Sequence, residues 1–254
     1  MRAKKALRAL GVLCFWLLIW SIAAWIVRKN AAMAGGGDLI LPSPASALRA
    51  LISLAGTGAF WLSAGATLLR ITGGFLAGIL IGTLLAVLTC VSKAADILLS
   101  PLIRVIRATP VASFIILILL WVMRTLVPGL ISTLMVIPVI WASLCTAIRQ
   151  TDPQLLEMAR AYHFGRRKTL RLVYVPSTLP QFLSACLTAQ GLAWKSGVAA
   201  EVLCLPTRSV GTQLYYAKLY IETPDLFAWT IVVVLLSFAL EKLCRALVGR
   251  WAAA

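Results

Sequence analysis

Acid is what this chain has least of. Eight Asp and Glu residues stand among 254, against 24 Lys and Arg, with a single histidine. Acid–base catalysis and metal binding draw on clustered carboxylates and imidazoles, and no Ser/His/Asp set or ligand cluster assembles from this inventory. The six cysteines, at 14, 90, 145, 186, 204 and 244, contain no C-x-x-C pair. That spacing argues against a zinc knuckle or a redox dithiol, and the thiols read as small buried hydrophobes. Charge of either sign is missing from 9–27, 71–92, 108–123, 125–148, 172–194 and 226–240. A soluble domain of this length needs a far more charged surface. A membrane span needs about 20 mostly apolar residues, and the gaps with their apolar flanks supply about six. The expected fold class is an all-α polytopic membrane protein with about six transmembrane helices.

What is present fits that class. The chain is 61% hydrophobic with a net charge of +16 and a mean hydropathy of +0.94. In a soluble protein such a charge points to nucleic acid. In a membrane protein it marks cytoplasmic loops, so lipid and not nucleic acid is the expected partner. Arg2, Lys4, Lys5 and Arg8 precede a first span retained with its N-terminus inside. The Gly35–Gly37 run reads as flexible. Ser43 and Pro44 then form an N-cap and first turn, with Leu48, Leu51, Ile52 and Ala55 at the spacing of a short interfacial helix outside. A second span over 62–90 carries Gly74, Gly78 and Gly82 on one face, where another backbone can approach. The third contains Pro101, Arg104, Arg107 and Pro110, and is expected to start in the interface and kink before crossing to about 122. Arg124–Gly129 reads as a tight outer turn, followed by spans ending at Ile148, over 181–200, and over 226–243. Residues 1–60 thus form an N-terminal helix with its external interfacial helix, and 61–254 a five-helix core with a cytoplasmic loop at 150–180. On this topology 14 basic residues lie inside and six outside, which places both termini in the cytoplasm.

The loop PQLLEMARAYHFGRRKTLRLVYVPSTLP, 153–180, is charged where its surroundings are not. Asp152 can cap a helix entered at Pro153, with Leu155, Met158, Ala159 and Tyr162 on one face. Gly165 breaks it, a second basic helix runs from Arg166 to Tyr174, and Pro176 and Pro180 mark its end and the return to the membrane. From pattern alone, a solvated positive loop and a partner-seeking helix fit equally. GRRKT at 165–169 lacks the glycine a phosphate loop needs before its lysine, so no ATP site is read in this chain.

The segment Glu157-Met158-Ala159-Arg160-Ala161-Tyr162-His163 resembles the E-A-A-x-x-x-G loop of the membrane subunits of bacterial ATP-binding-cassette importers. Met158 stands for the first alanine, His163 for the glycine, and Gly165 comes two residues late. LPSPASAL, LLRITGGFLAGILIG, IRATPVASFIILILLWV, GLAWKSGVAAEVL and SVGTQLYYAKLYIETPDLFAWT are similar to the nitrate/sulfonate/taurine-type permeases of that group. The resemblance covers nearly the whole chain. It implies a type I importer permease of the bacterial cytoplasmic membrane, moving a small solute such as a sulfonate or nitrate. The implied partners are an ATP-binding-cassette ATPase that binds ATP and magnesium, an extracytoplasmic solute-binding protein, and a second permease protomer in a homodimer. The chain itself is then a non-catalytic subunit without cofactor. Glu157, Met158, Ala159, Arg160, His163, Gly165 and Arg166 are the implied contacts to the ATPase.

Lys195, Glu201 and Thr109 are the residues placed on the translocation path. Lys195 is the one charge well inside a span, costly in lipid unless it faces water, protein or a pairing acid. Six residues separate it from Glu201, so a pair between them would need a bend at Gly197 or a contact across protomers. An ion-coupled secondary transporter or channel is the alternative reading, though neither half of the chain repeats the other.

Overall fold

The computed structural model describes residues 2–31 and 40–252; the glycine run at 35–37 lies outside the described residues. All regular structure described is helical: α1 (Arg2–Ala31), α2 (Pro44–Ala55), α3 (Gly58–Val91), α4 (Lys93–Ala108), α5 (Val111–Ile118), α6 (Val127–Arg149), α7 (Pro153–Ala161), α8 (Arg166–Thr169) with a π-helical turn at Leu170–Tyr174, α9 (Val175–Cys204), α10 (Val210–Leu219) and α11 (Thr223–Ala252). Several helices begin on hydroxyl caps. The Oγ atoms of Ser43, Thr57 and Ser92 accept from the backbone N–H groups of Ser46, Phe60 and Ala95. Ser43 followed by Pro44 starts α2 as the sequence predicts.

The core is a triplet of α3, α6 and α9. Successive contacts fix its directions. Gly74 faces Gly129 and Ser132, Gly78 faces Val136, and Gly82 faces Ile140, so α3 and α6 run parallel. A Cβ at Gly78 would stand 2.6 Å from Cβ of Val136, so the expected glycine face is where the two backbones meet. Thr133 Oγ1 donates to the Gly74 carbonyl at 2.9 Å, and Ser132 Oγ to that of Ala193 at 3.1 Å. Such hydroxyl bonds tie helices together where apolar contact alone gives little preference over lipid. Helix α9 is antiparallel to both. Its Gly197 meets Ile71 and Ser132, and Phe182 packs toward Leu144.

Parallel neighbours in sequence need a return crossing, and α4 with α5 provides it. The two meet at Thr109–Pro110 with a bend of 103°. Thr109 is extended (ψ 132°), as a residue before proline must be, and the proline supplies no N–H to continue α4. The expected kink is therefore a full break. Helix ends at Ile118, turns occupy 119–126, and Val127 begins α6, so Pro128 and Gly129 lie inside the helix and not in an outer turn. By length and composition α3 and α6 can each cross a membrane, and the bent pair makes a third crossing if counted as one span.

One expectation for the second half fails. Pro176 and Pro180 do not end the helix that follows the loop. Pro176 sits in the first turn of α9, Pro180 inside it, and the helical path runs from Arg166 to Cys204. The wider turn at Leu170–Tyr174, where the Val175 N–H reaches back to the Leu170 carbonyl, absorbs the mismatch that proline creates. The stretch after α9 folds into α10. This helix packs with α2, α3 and α11 around Phe60, Val210 and Trp229, whose Phe60 and Trp229 rings stack at 5.1 Å. Trp20 of α1 anchors there too, donating to the Pro42 carbonyl at 3.1 Å and stacking on Phe227.

Candidate functional site

Two regions carry the polar chemistry, one at each end of α9. The first is the loop helix α7. Asp152 Oδ1 accepts from the Gln154 N–H at 2.9 Å, and Pro153 opens the first turn. The other end closes through His163, which adopts a left-handed φ of 52°. Its N–H bonds to the Arg160 carbonyl at 3.0 Å, and the Phe164 N–H to that of Ala159 at 2.8 Å. This pair of bonds is the Schellman closure, whose left-handed position favours glycine. His163 thus occupies the position where the resembled motif has glycine, and it takes the conformation glycine would supply. Histidine tolerates that region better than most side chains.

Within α7 the predicted apolar stripe divides. Ala159 is 2% exposed and turned inward with Leu156, toward Phe164 and Leu170 across a cavity of about 350 Å³. Leu155, Met158 and Tyr162 face out, Tyr162 at 73% exposure. Glu157, Arg160, Arg166, Arg167 and Lys168 are all exposed, and Gly165 is the extended cap residue ahead of α8. Among the described residues no salt bridge involves Glu157. The α7 surface is therefore apolar at its centre and charged around it. A second cavity of about 440 Å³, lined by apolar residues of α3, α6 and α9, lies against the π turn and shares Leu170 and Tyr174 with the first.

The second region lies near the Cys204 end of α9. Glu201 is wholly buried. Its carboxylate accepts from Thr67 Oγ1 at 2.8 and 3.0 Å, from Arg70 at 3.0 Å and from the Gly211 N–H at 3.2 Å. Arg70 also donates to the carbonyls of Thr207 and Arg208, at 2.8 and 3.3 Å, and Thr67 Oγ1 accepts from the Val210 N–H. Gly211 must be glycine here, since a Cβ would enter the Glu201 side chain. The network ties α3, α9 and the start of α10 into one knot. A buried carboxylate with this many donors is a structural anchor.

Within the chain Glu201 does not pair with Lys195. Arg70 is the partner, and it arrives from α3, three residues beyond Thr67 on the same helix face. Gly197 lies within the unbroken α9 and serves its close packing on Ser132 and Ile71. Lys195 is exposed on another face of α9, about 120° around the helix from Glu201. Thr109 lies at the α4–α5 break, its hydroxyl turned back to the Val105 carbonyl at 2.8 Å. The contacts do not join these three residues. Arg70 was missed although it stands alone between charge-free runs at 50–69 and 71–92; Thr67 and Gly211 carried no such signal.

Comparison with known proteins agrees with this architecture. A family model described as "binding-protein-dependent transport system inner membrane component" matches residues 78–252. The chain is similar to the taurine transport system permease protein of Escherichia coli K12, at 26% identity over 98% of this chain and 90% of the relative. The putative aliphatic sulfonates transport permease protein of Bacillus subtilis 168 is 26% identical, over 89% and 81%. The bicarbonate transport system permease protein of Synechococcus elongatus is 25% identical, over 76% and 69%. A solved amino acid ABC transporter, crystallised with histidines, shares the fold with a TM-score of 0.55 at 20% identity, over 73% of this chain and 88% of that one.

Proposed function

This chain belongs to the binding-protein-dependent transport system inner membrane components, and from that membership we propose how its parts divide the work of import. It is a permease subunit of an ATP-binding-cassette importer, a multi-pass protein of the bacterial inner membrane. The family works with an ATPase and a solute-binding protein. In this reading ATP and magnesium belong to the ATPase, this chain is non-catalytic, and a second copy of it completes the path as a homodimer. Both termini and α7 face the cytoplasm, following the excess of basic residues there. The solute is small, and the relatives' names put taurine, other sulfonates and bicarbonate first.

Helix α7 is the coupling element. One observation carries this: a short helix closed at both ends, held from within by buried Ala159, presents Leu155, Met158 and Tyr162 outward inside a charged rim. An apolar strip on a rigid helix is suited to a groove in another protein. Glu157 lies on the rim, so reversing its charge changes the docking surface without touching the fold. The Glu157→Lys variant should reach the membrane at wild-type abundance, retain about tenfold less ATPase subunit on affinity purification and lose uptake of labelled taurine or bicarbonate. Full ATPase retention in that variant would remove the coupling role.

A further inference from the structure

The two long helices of the core turn very different faces outward. On α3 the exposed face is Leu69, Leu76, Leu80 and Leu84, as lipid requires. On α9 the exposed positions recur at helical spacing and include Ser177, Gln181, Ser184, Thr188 and Lys195. Gly191 lies on the same side, and a Cβ built there meets nothing within 4 Å. Lysine and glutamine toward hydrocarbon are costly in the middle of a span, and such residues turn to water or protein. The one acid of α9, Glu201, is sealed in the Arg70 knot on another face. The polar stripe therefore carries one charge, and that charge is positive.

We propose that this stripe of α9 is the wall of an aqueous path, closed from the other side by a second copy of the chain, and that Lys195 makes it selective for anions. The proposal rests on the permease reading and adds the face and the cation. Lys195 acts as a compact point charge that draws an anionic headgroup such as a sulfonate or carbonate along hydroxyl and amide side chains. It is well placed to do so because no acid neutralises it on its own helix face.

The test needs no identified solute. Single cysteines Thr188→Cys on the stripe and Leu80→Cys on α3 are placed in the assembled importer. They are treated at low salt with two methanethiosulfonates of similar size, the anionic sulfonatoethyl and the cationic trimethylammonioethyl reagent. Modification is read at each site by peptide mass spectrometry. Thr188→Cys should react while Leu80→Cys does not. Thr188 stands seven residues from Lys195, about 10.5 Å along the helix. At that distance a unit charge in water favours the anionic over the cationic reagent about fourfold. Lys195→Met should abolish that preference, and Lys195→Arg should retain it. An unreactive Thr188→Cys overturns the aqueous path; if it instead forms disulfides between two copies, the stripe is a dry dimer face. Equal rates for both reagents, unchanged by Lys195→Met, overturn anion selection alone. Each result is independent of ATPase retention, which tests the permease reading itself.

Discussion

Replacing Arg70 with methionine strands Glu201. In the wild type four donor contacts, from Thr67, Arg70 and the Gly211 N–H, converge on a carboxylate with no exposure to solvent. Removing the cation leaves a buried negative charge held by a hydroxyl and one amide, and it frees the Thr207 and Arg208 carbonyls. Breaking such a pair from one side costs about 3–5 kcal/mol. The Arg70 side chain retains 19% exposure, so the lower end, about 3 kcal/mol, is expected. At about 2–4 °C per kcal/mol for a chain of this size, that is a fall of roughly 6–12 °C in thermal midpoint. Glu201→Gln alone should cost about 1–3 kcal/mol, because the amide still accepts from Thr67 and Gly211 but no longer answers the guanidinium. Combining the two removes both charges, so the double variant should be more stable than Arg70→Met alone. The assay is thermal aggregation of detergent-purified protein, followed by size-exclusion chromatography, on all four members of the cycle. Losses that add within about 0.5 kcal/mol would mean the two side chains do not interact as described.

Two further outcomes follow from backbone geometry. Gly78→Ala places a Cβ 2.6 Å from Cβ of Val136 and should lower the midpoint by the equivalent of about 1–3 kcal/mol. Gly73→Ala on the same helix, with nothing within 4 Å, should be neutral or stabilising by up to about 1 kcal/mol; equal effects would refute the assigned α3–α6 contact. Ile221 closes α10 with a left-handed φ of 61°, its N–H on the Lys218 carbonyl and that of Glu222 on Ala217. Ile221→Gly should therefore stabilise by about 1–2 kcal/mol. His163→Gly in the corresponding place after α7 should gain less; hydrogen exchange at the two helix ends, unchanged in both variants, would contradict the strain.

Much of the fold was legible because lipid imposes simple rules. Charge-free runs located α3 and α6, four-residue glycine spacing located their contact, and Ser43 with Pro44 located the start of α2. Proline misled where helix is stabilised by neighbours and not by its own hydrogen bonds. Read as in a soluble loop, Pro176 and Pro180 end a helix; in the packed core they are carried through by a wider turn. The loop helix was legible in outline from Asp152, Pro153 and the apolar spacing. Its division into an inward Ala159 and an outward Leu155–Met158–Tyr162 strip depends on what the following turn packs against, which local spacing does not encode. Glu201 was singled out without its partner for the same reason. Lys195 is near it in sequence, whereas Arg70 is near it only after α3 and α9 lie side by side.

The unbroken course from Arg166 to Cys204 makes a stiff rod about 58 Å long at helical rise. Its far end is clamped by the Glu201 knot; its near end runs through the π turn with a hollow on either side. A rod clamped at one end and loosely seated at the other bends where support is thinnest, at Leu170–Tyr174. A bend of 10° there leaves the packed length of α9 in place and carries the Arg166 end, about 9 Å away at helical rise, about 2 Å sideways. The room around Leu170 and Tyr174 therefore sets how far the loop end can swing. Filling those hollows should shorten that swing without altering a single residue of α7.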